Sequence, residues 1–549
     1  MASMMQHTRM ARTPALRLLN ELVGKGAQGE ATGLPPEDAH ARVTGQRMPD
    51  GVVAAGAAEA LRPASLPVAM ARGAHSRIVI IGAGIAGMTA ALTLADNGVS
   101  STIYEASERI GGRMHSDLRG YWADGQVSEW CGELIDQDHE TILSLARRYG
   151  LAISDVVGAE PESSQDTLFF GGQYYTKRQA AIDFRPVYRA LQRDVRAASY
   201  PTRFDSITPA GWALDHMSIW DWIESRVPGG HGSPFGQLVD VAYNIEYGAE
   251  TTDQSALNLV YLLGDGAKPS NFAIFGKSDE RYRISGGNER LPVAVAHDLA
   301  GRGVSIKTGR RLEAIRRLSD GSYGMTIEGS AVQVVADHVV LALPFAVLRT
   351  LDYSAAGFEE LKDTAIQELG RGRNAKLQLQ FTDRGWNERG GWPGISNGAT
   401  YADTGYQNTW DVTRAQSGAQ GILVDFTGGD VAAAFRPQAP YSDASSPAVT
   451  AYAAAFLGQL KPVLPGISDK WTGRTTLSVP SLDPNLGVSY SYYRVGQYTR
   501  FGGYENVRQG NVHFCGEHCS QDFQGFMEGA ASEGVRAAEE ILSDLSAVA

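Results

Sequence analysis

Three glycines and one carboxylate in the first part of the chain have the types and spacing of a dinucleotide-binding site. Gly82, Gly84 and Gly87 form a Gly-x-Gly-x-x-Gly pattern after a short apolar run. In such a turn the first glycine permits the bend, the second lets the backbone approach a pyrophosphate, and the third lets helix and strand pack closely. Glu105 ends the next apolar run, where an acid would meet ribose hydroxyls. A glycine turn that serves structure alone is the alternative, and Glu105 argues against it.

The segment after Glu105 indicates which dinucleotide binds. It reads ERIGGR over residues 108–113. A nicotinamide-binding domain has no need of a Gly-Gly-Arg at this place. In a flavin protein the glycines, Gly112 among them, bring the backbone close to the cofactor, and Arg113 can neutralise the pyrophosphate. A polar loop without a ligand is the alternative; we predict FAD.

The hydrophobic pattern predicts the elements that position these residues. A β-branched strand over 77–81, a helix over 85–97 and a strand over 100–104 form a βαβ unit. Three later segments, 286–306, 336–343 and 511–542, have the same strand, turn and helix character. We therefore predict an α/β fold: a Rossmann-like FAD-binding domain built from separated segments, plus an inserted α+β substrate domain. The predicted ranges are 1–75 for an N-terminal extension, 76–139, 276–344 and 481–549 for the FAD-binding domain, and 140–275 and 345–480 for the substrate domain.

Composition excludes several classes of partner. The net charge of −12 disfavours nucleic acid, which would require a basic face. No apolar run is long enough to cross a bilayer, so we expect no membrane partner. The three cysteines are too few for a disulfide framework, which favours free thiols in the cytoplasm. Export through a degraded signal within residues 1–75 remains open.

The segment HFCGEHC over residues 513–519 has the residue types of a metal site. A zinc site would normally need a second pair of ligands at a recognisable spacing, and we find none. We therefore predict no metal.

Taken together, the motifs make the chain resemble the flavin amine oxidase family, which holds monoamine, polyamine and L-amino-acid oxidases, with soluble bacterial members the nearest in character. The likeness covers most of residues 77–545. It rests on RIVIIGAGIAGMTAALTL, YEASERIGGRMHS, EWCGELIDQDHETILSLARRYGL, YRISGGNERL, ADHVVLALP, GRNAKLQLQF and FCGEHCSQDFQGFMEGAASEGVRAAEEI.

The resemblance implies roles for further residues. It places Ile85, Ala86, Glu105, Ala106 and Arg113 at the adenosine and pyrophosphate. It places Gly132, Glu133, Leu312, Glu517, Phe526, Met527 and Glu528 along the rest of FAD.

Lys376 is the residue that the resemblance assigns to chemistry. The matching lysine of the family holds a water against flavin N5, and a fixed positive charge there can also stabilise negative charge that develops during the reaction. A surface lysine is the alternative, because the strand alternates and Lys376 stands opposite the apolar Leu377 and Leu379.

Two departures from the family bear on the cofactor bond and on the substrate. Covalent members carry a cysteine where the glycine spacing places Val488, so we expect FAD to be held without a covalent bond. The next position, one wall of the aromatic cage of monoamine oxidases, is Ser489, whereas the opposite wall is Phe526. This half cage leaves room for a bulkier or carboxylate-bearing substrate.

A carboxylate would need a cation, ideally an arginine. Snake-type L-amino-acid oxidases carry that arginine after the second glycine motif, where this chain has Leu134 and Ile135. Arg494, on the strand that holds Tyr490 and Tyr492, is a substitute, and a solvated surface arginine is the alternative. Four aromatic residues could line the pocket or belong to the core: Trp212, Trp220, Tyr243 and Tyr247.

These residues predict an FAD-dependent oxidase that removes hydride from the carbon next to an amine. The imine then hydrolyses to a carbonyl compound and ammonia, and molecular oxygen accepts the electrons and yields hydrogen peroxide. We favour an L-amino acid as substrate, with a monoamine or a polyamine as the alternative, and with a flavin desaturase or a non-catalytic flavoprotein as more distant ones. The sequence is compatible with a homodimer.

Overall fold

The structure, a computed structural model, describes residues 76–270 and 272–547. The predicted N-terminal extension, 1–75, lies outside the described residues. The described residues cluster as one compact unit. Within the described ranges, no helix combines the length and the apolar character needed to span a membrane.

Five strands of the described chain form one parallel sheet, which we call the parallel sheet. In spatial order they are Val512–Phe514, His338–Leu341, Ile78–Ile81, Thr102–Tyr104 and Ser305–Lys307. The strand Ile78–Ile81 is central and buried at every position, as a β-branched run in a sheet covered on both faces should be. The helix Ile85–Asp96 follows it directly and packs against the helix Met527–Ala547. The predicted Rossmann-like arrangement of separated segments is confirmed.

A second, larger sheet is mixed and lies within residues 164–478; we call it the eight-stranded sheet. Its strands are, in spatial order, Tyr441–Asp443, Trp471–Ser478, Asn374–Phe381, Gly421–Gly428, Asn408–Asp411, Ile395–Ala402, Ser164–Phe170 and Gln173–Tyr175. All eight residues of Asn374–Phe381 are buried, because neighbouring segments cover both faces of that strand.

The described chain also contains smaller sheets of two or three strands. They are Leu312–Arg317 with Tyr323–Ile327 and Val334–Ala336, Gly370–Arg371 with Ser491–Tyr492, Ser116–Asp117 with Ser128–Glu129, and Ile153–Asp155 with Tyr282–Ile284. The remaining α-helices are Glu140–Arg148, Lys177–Ala198, Pro209–Asp215, Ile219–Arg226, Pro234–Tyr247, Ala256–Gly264, Arg290–Gly301, Phe345–Leu348, Glu360–Glu368, Gly429–Ala433, Pro447–Leu460 and Gln497–Arg500.

Two segments that the sequence assigned to the substrate domain pack on the parallel sheet. The helix Glu140–Arg148 shares a hydrophobic cluster with the helix Ile85–Asp96. The helices Phe345–Leu348 and Glu360–Glu368 pack on the opposite face, in a cluster that includes Val339. We propose the same two-domain division, with these segments moved to the FAD-binding side.

Candidate functional site

One long cavity lies between the carboxyl ends of the parallel strands and the eight-stranded sheet. Ile81, Tyr104 and Gly516 line it at or just after the ends of parallel strands, and Lys376, Tyr401 and others line it from the eight-stranded sheet. Crevices at the carboxyl ends of such strands are where open α/β sheets bind ligands.

The structure brings most of the predicted site residues together on the wall of this cavity. Seventeen of them line it: Gly82, Gly84, Ile85, Ala86, Glu105, Ala106, Gly112, Arg113, Gly132, Glu133, Leu312, Lys376, Ser489, Tyr490, Glu517, Phe526 and Met527. Their roles toward a bound molecule remain proposals.

The glycine turn presents an unblocked helix N-terminus to the cavity. The helix Ile85–Asp96 has no side-chain cap at Gly84 and no acidic residue in its first turn. Its first N–H groups, together with the helix dipole, therefore suit a phosphate. Gly82 has a φ of 106°, which an L side chain rarely adopts. These features fit the pyrophosphate of FAD.

Gly87 does not line the cavity but serves the packing role that its position predicts. A Cβ there would overlap the carbonyl oxygen of Gly82 and come within 3.1 Å of Ile80 Cγ2. The helix can start this close to the strand only because the residue is glycine.

The carboxylate of Glu105 sits beside the turn at the same end. Its Oε2 accepts a hydrogen bond from the Ala83 N–H at 2.7 Å, and its Oε1 accepts from the Ser107 N–H at 2.9 Å. A partly buried carboxylate on the cavity wall is suited to accept hydrogen bonds from ribose hydroxyls.

Arg113 and Glu517 form an ion pair on the cavity wall. Arg113 Nη1 donates to Glu517 Oε1 and to the Ser489 carbonyl oxygen, both at 2.9 Å. Glu517 also accepts from Ser491 Oγ at 2.8 Å and from the Gly525 N–H at 2.9 Å. Burial acts to raise the pKa of Glu517, but Arg113 and these hydrogen bonds hold it below its ordinary value. The carboxylate therefore stays ionised and orients the guanidinium.

Lys376 is buried and points to the cavity, so the alternative of a surface lysine is wrong. Its Nζ lies 2.8 Å from Glu133 Oε2 and donates to the Cys131 carbonyl oxygen at 2.8 Å. The Lys376 and Glu133 side chains are 9% and 3% exposed. Trp410 Nε1 donates to the other Glu133 oxygen at 3.2 Å. These contacts fix the position of the ammonium group.

The same contacts keep Glu133 charged. Burial acts to raise its pKa, whereas Lys376 and the buried Arg283 lower it, and the pKa lies below its ordinary value. Among the described residues, the cavity wall thus holds an ion pair within reach of any molecule that enters.

Besides Gly87, two predicted site residues lie away from the cavity wall. Glu528 does not line the cavity; its two carboxylate oxygens accept from the Thr141 and Ile142 N–H groups at 2.9 Å each, and so cap the helix Glu140–Arg148. Arg494 pairs with Asp253 at 2.9 Å and is 52% exposed, which confirms the surface alternative.

The four aromatic residues of the inserted segments differ in position. Trp212 and Trp220 are exposed and stack on His216 and His231. Tyr243 belongs to the core and donates to the Ile274 carbonyl oxygen, whereas Tyr247 lines the cavity.

Val488 is buried beside a small separate cavity and does not line the long cavity. Ser489 lines the long cavity, and its Oγ donates to Asn374 Oδ1 at 2.6 Å.

The segment 513–519, which has the residue types of a metal site, is engaged in other contacts. His513 Nδ1 lies 2.7 Å from Glu540 Oε2, and Cys515 is buried in a hydrophobic cluster.

Sequence reasoning missed three carboxylates on the cavity wall: Asp483, Glu246 and Glu280. Glu246 comes from the helix Pro234–Tyr247, and Glu280 from the loop before the strand Tyr282–Ile284. No motif marks either position. With Glu133, they make one part of the wall acidic, next to Tyr247, Tyr401 and Trp410.

The arginines of the cavity wall stand at its other part. Among the described residues that line it, they are Arg109, Arg113, Arg310 and Arg311. Arg109 donates to the Gly112 carbonyl oxygen at 2.7 Å, and the Arg310 N–H donates to the Glu105 carbonyl oxygen at 2.8 Å. They lie beside the segments suited to the dinucleotide, so the polarity of the cavity changes along its length.

The known proteins that this chain resembles are named as oxidoreductases of amines or amino acids. The chain is 22% identical over 504 residues to an L-amino acid dehydrogenase of Synechocystis sp., covering 86% of this chain and 96% of that protein. It is 25% identical over 506 residues to polyamine oxidase 7 of Oryza sativa subsp. japonica, covering 87% and 97%. The fold resembles that of cyclohexylamine oxidase from Brevibacterium oxydans, with a TM-score of 0.71 and 20% identity over 86% of this chain and 99% of that one.

The flavin containing amine oxidoreductase family matches residues 85–542, which include the helix after the glycine turn, the Lys376–Glu133 pair and most of the final helix. The predicted family and the predicted FAD cofactor are confirmed. The chain belongs to the flavin-containing amine oxidoreductases and is an FAD-dependent oxidoreductase.

Proposed function

We propose that the protein is an FAD-dependent oxidase of an amine that carries a second positive charge. The observation that carries this proposal is the charge of the cavity wall: Glu246 and Glu280 line the part that also holds the Lys376–Glu133 ion pair, and the lining arginines lie beside the glycine turn and Glu105. A diamine, a polyamine or a basic L-amino acid shares the required chemistry. This conclusion modifies the preference for L-amino acids in general that the sequence suggested.

FAD, when bound, supplies the two-electron acceptor for the amine carbon and passes the electrons to oxygen. The chain supplies binding and orientation. Glu246 would attract the distal cation, and Tyr247 and Tyr401 would pack along the intervening methylenes. Lys376, fixed by Glu133 and the Cys131 carbonyl oxygen, provides a stationary positive charge at the reacting end.

Oxidation of a neutral L-amino acid is the second candidate, and the similarity to an L-amino acid dehydrogenase favours it. Lys376 on this part of the wall is already paired with Glu133, so the carboxylate would have to be held mainly by neutral donors. Tyr490 is one such residue, but its hydroxyl already donates to the Ile245 carbonyl oxygen at 2.8 Å. The first candidate is therefore better matched to this wall.

Matched substrates distinguish the two candidates. We expect the kcat/KM for peroxide formation from 1,4-diaminobutane to exceed that from 1-aminobutane roughly 30-fold, since the loss of one enclosed charge contact costs about 2 kcal/mol. L-lysine should likewise exceed L-norleucine. The Glu246→Gln variant should reduce both ratios.

Peroxide from L-leucine with none from any dicationic amine would replace the first candidate by the second. A purified protein that is colourless and takes up no FAD would remove both.

We also propose that FAD is held without a covalent bond. Among the described residues that line the cavity, Cys131 is the cysteine, and its Sγ contacts Tyr441 Oη at 3.8 Å. Burial raises the pKa of this thiol, which disfavours the nucleophilic thiolate.

Acid precipitation should therefore leave all of the yellow colour in the supernatant, as measured by absorbance at the flavin maximum. The Val488→Cys variant is the matched control, and it should also release FAD, because residue 488 does not line this cavity. Colour retained in the washed wild-type pellet would contradict the proposal.

A further inference from the structure

Glu280 is held in an unusual backbone conformation on the cavity wall. Its φ is 46°, in the left-handed region that residues with a side chain seldom adopt. Four other non-glycine residues of the described chain have positive φ: Asp124, Ser163, Ser199 and Ala415. Glu280 differs from them because it lines the cavity. Such a conformation persists only where its surroundings enforce it, and it is found preferentially at functional sites.

Contacts on both sides enforce the conformation. The Glu280 N–H donates to Asp136 Oδ1 at 2.8 Å. Two residues later, Tyr282 exchanges a pair of backbone hydrogen bonds with Ile135, both at 2.8 Å. The loop is thus fastened to the segment that also carries Glu133, and the direction of the Glu280 side chain is set by the backbone.

The Glu280 carboxylate is available to bind a molecule in the cavity, whereas the Glu133 carboxylate is already paired. Two donors, Lys376 and Trp410, hold the Glu133 oxygens. No hydrogen bond or ion pair within 76–270 or 272–547 engages the Glu280 oxygens, although the group faces the same cavity. A carboxylate without an internal donor, beside a fixed ion pair, is suited to exchange a proton with a bound molecule.

We infer that Glu280 is the proton acceptor that converts the bound substrate ammonium into the neutral amine before oxidation. The N–H bond of the R-NH3+ group breaks, its proton passes to a Glu280 oxygen, and its electron pair stays on nitrogen as the lone pair. The products are R-NH2 and a neutral carboxyl group, so charge and atoms balance without another reactant. The inference rests on the proposed amine substrate.

The surrounding charges suit this role at neutral pH. Burial, with Asp136 and Glu133, raises the pKa of Glu280 to about 7, against the opposing effect of Arg414 and Lys376. On the neighbouring elements, Glu246, Tyr401 and Tyr490 also face this part of the cavity. Burial holds the pKa values of both tyrosines well above their ordinary value, so they stay neutral.

The test is the anaerobic rate at which 1,4-diaminobutane bleaches the flavin of the holoenzyme, followed by stopped flow between pH 6 and pH 10. Below its pKa Glu280 is protonated and cannot accept, so the ratio of the limiting rate to the apparent Kd should rise through a step near pH 7. In Glu280→Gln this step should be absent, the ratio should fall about tenfold at pH 7.5, and it should approach the wild-type value toward pH 10, where the free amine loses its own proton.

Three further variants make the result specific. Glu246→Gln should weaken binding but keep the step, and Glu388→Gln, an exposed carboxylate, should match the wild type. Asp136→Asn should move the step to lower pH, because Asp136 raises the pKa of Glu280. This variant keeps the inference testable if Glu280→Gln does not fold.

A wild-type profile in Glu280→Gln, or an unmoved step in Asp136→Asn, would overturn the inference and leave the proposed function intact. A wild-type enzyme that no amine bleaches would overturn both.

Discussion

Lys376→Met is expected to slow the oxygen-dependent half of turnover about 100-fold, because it removes the fixed positive charge from the reacting end of the cavity. Fixed groups of this kind, placed where charge develops, typically contribute 10²- to 10³-fold. The measurement is stopped-flow mixing of the anaerobically reduced holoenzyme with oxygenated buffer. Lys470→Met is the matched control, since Lys470 pairs with Asp383 on the surface, and it should reoxidise at the wild-type rate.

The substitution also leaves the Glu133 carboxylate buried without its partner. Breaking a buried ion pair on one side typically destabilises a protein by about 3–5 kcal/mol. The Lys376→Met/Glu133→Gln double variant removes both charges and should regain most of the thermal stability, while reoxidation stays slow. Fast reoxidation in a folded double variant would show that Lys376 has no part in this step.

Gly87→Ala is expected to abolish FAD binding under ordinary purification conditions. The added methyl group would overlap the Gly82 carbonyl oxygen, which belongs to the turn that we propose receives the pyrophosphate. Overpacking of a tight contact costs about 1–3 kcal/mol or more, and here the turn itself must move. We expect the free energy of unfolding to fall by about 3 kcal/mol, measured by chemical denaturation, with the flavin-to-protein absorbance ratio close to zero.

Gly458→Ala supplies the control for this substitution. Gly458 lies in the helix Pro447–Leu460, and a Cβ there meets nothing within 4 Å. Alanine should stabilise the helix by up to about 1 kcal/mol and leave FAD content unchanged. Full FAD occupancy in Gly87→Ala would mean that the turn tolerates a side chain and that its geometry matters less than the overlap indicates.

The FAD-binding half could be predicted from sequence because its signals are local. The strand Ile78–Ile81, the turn and the helix Ile85–Asp96 are consecutive, and each residue type follows from the contact it makes. Lys376 was found through the resemblance of its flanking residues. Its burial was not evident, because the alternation of its strand indicates one exposed face, whereas the fold covers both.

The remaining site residues depend on geometry that sequence does not display. Glu246 and Glu280 come from segments of different type that meet only in the folded protein. Glu528 follows two residues that line the cavity, but each step along a helix turns the side chain by about 100°, so it faces the helix Glu140–Arg148 instead. Arg494 was assigned to the strand of Tyr490 and Tyr492, but the observed strand is only Ser491–Tyr492, and the ion pair with Asp253 that holds Arg494 at the surface is not visible in the sequence.

The order of strands in the parallel sheet has a consequence for biosynthesis. Its central strand, Ile78–Ile81, is made long before Val512–Phe514 and before the helix Met527–Ala547, which packs on Ile85–Asp96. At ordinary rates of translation this interval is about 20 to 90 seconds, far longer than local folding takes. During it the apolar strand and helix lack these partners, so the nascent chain exposes apolar surface, and the FAD site can be completed only after these later segments have been made.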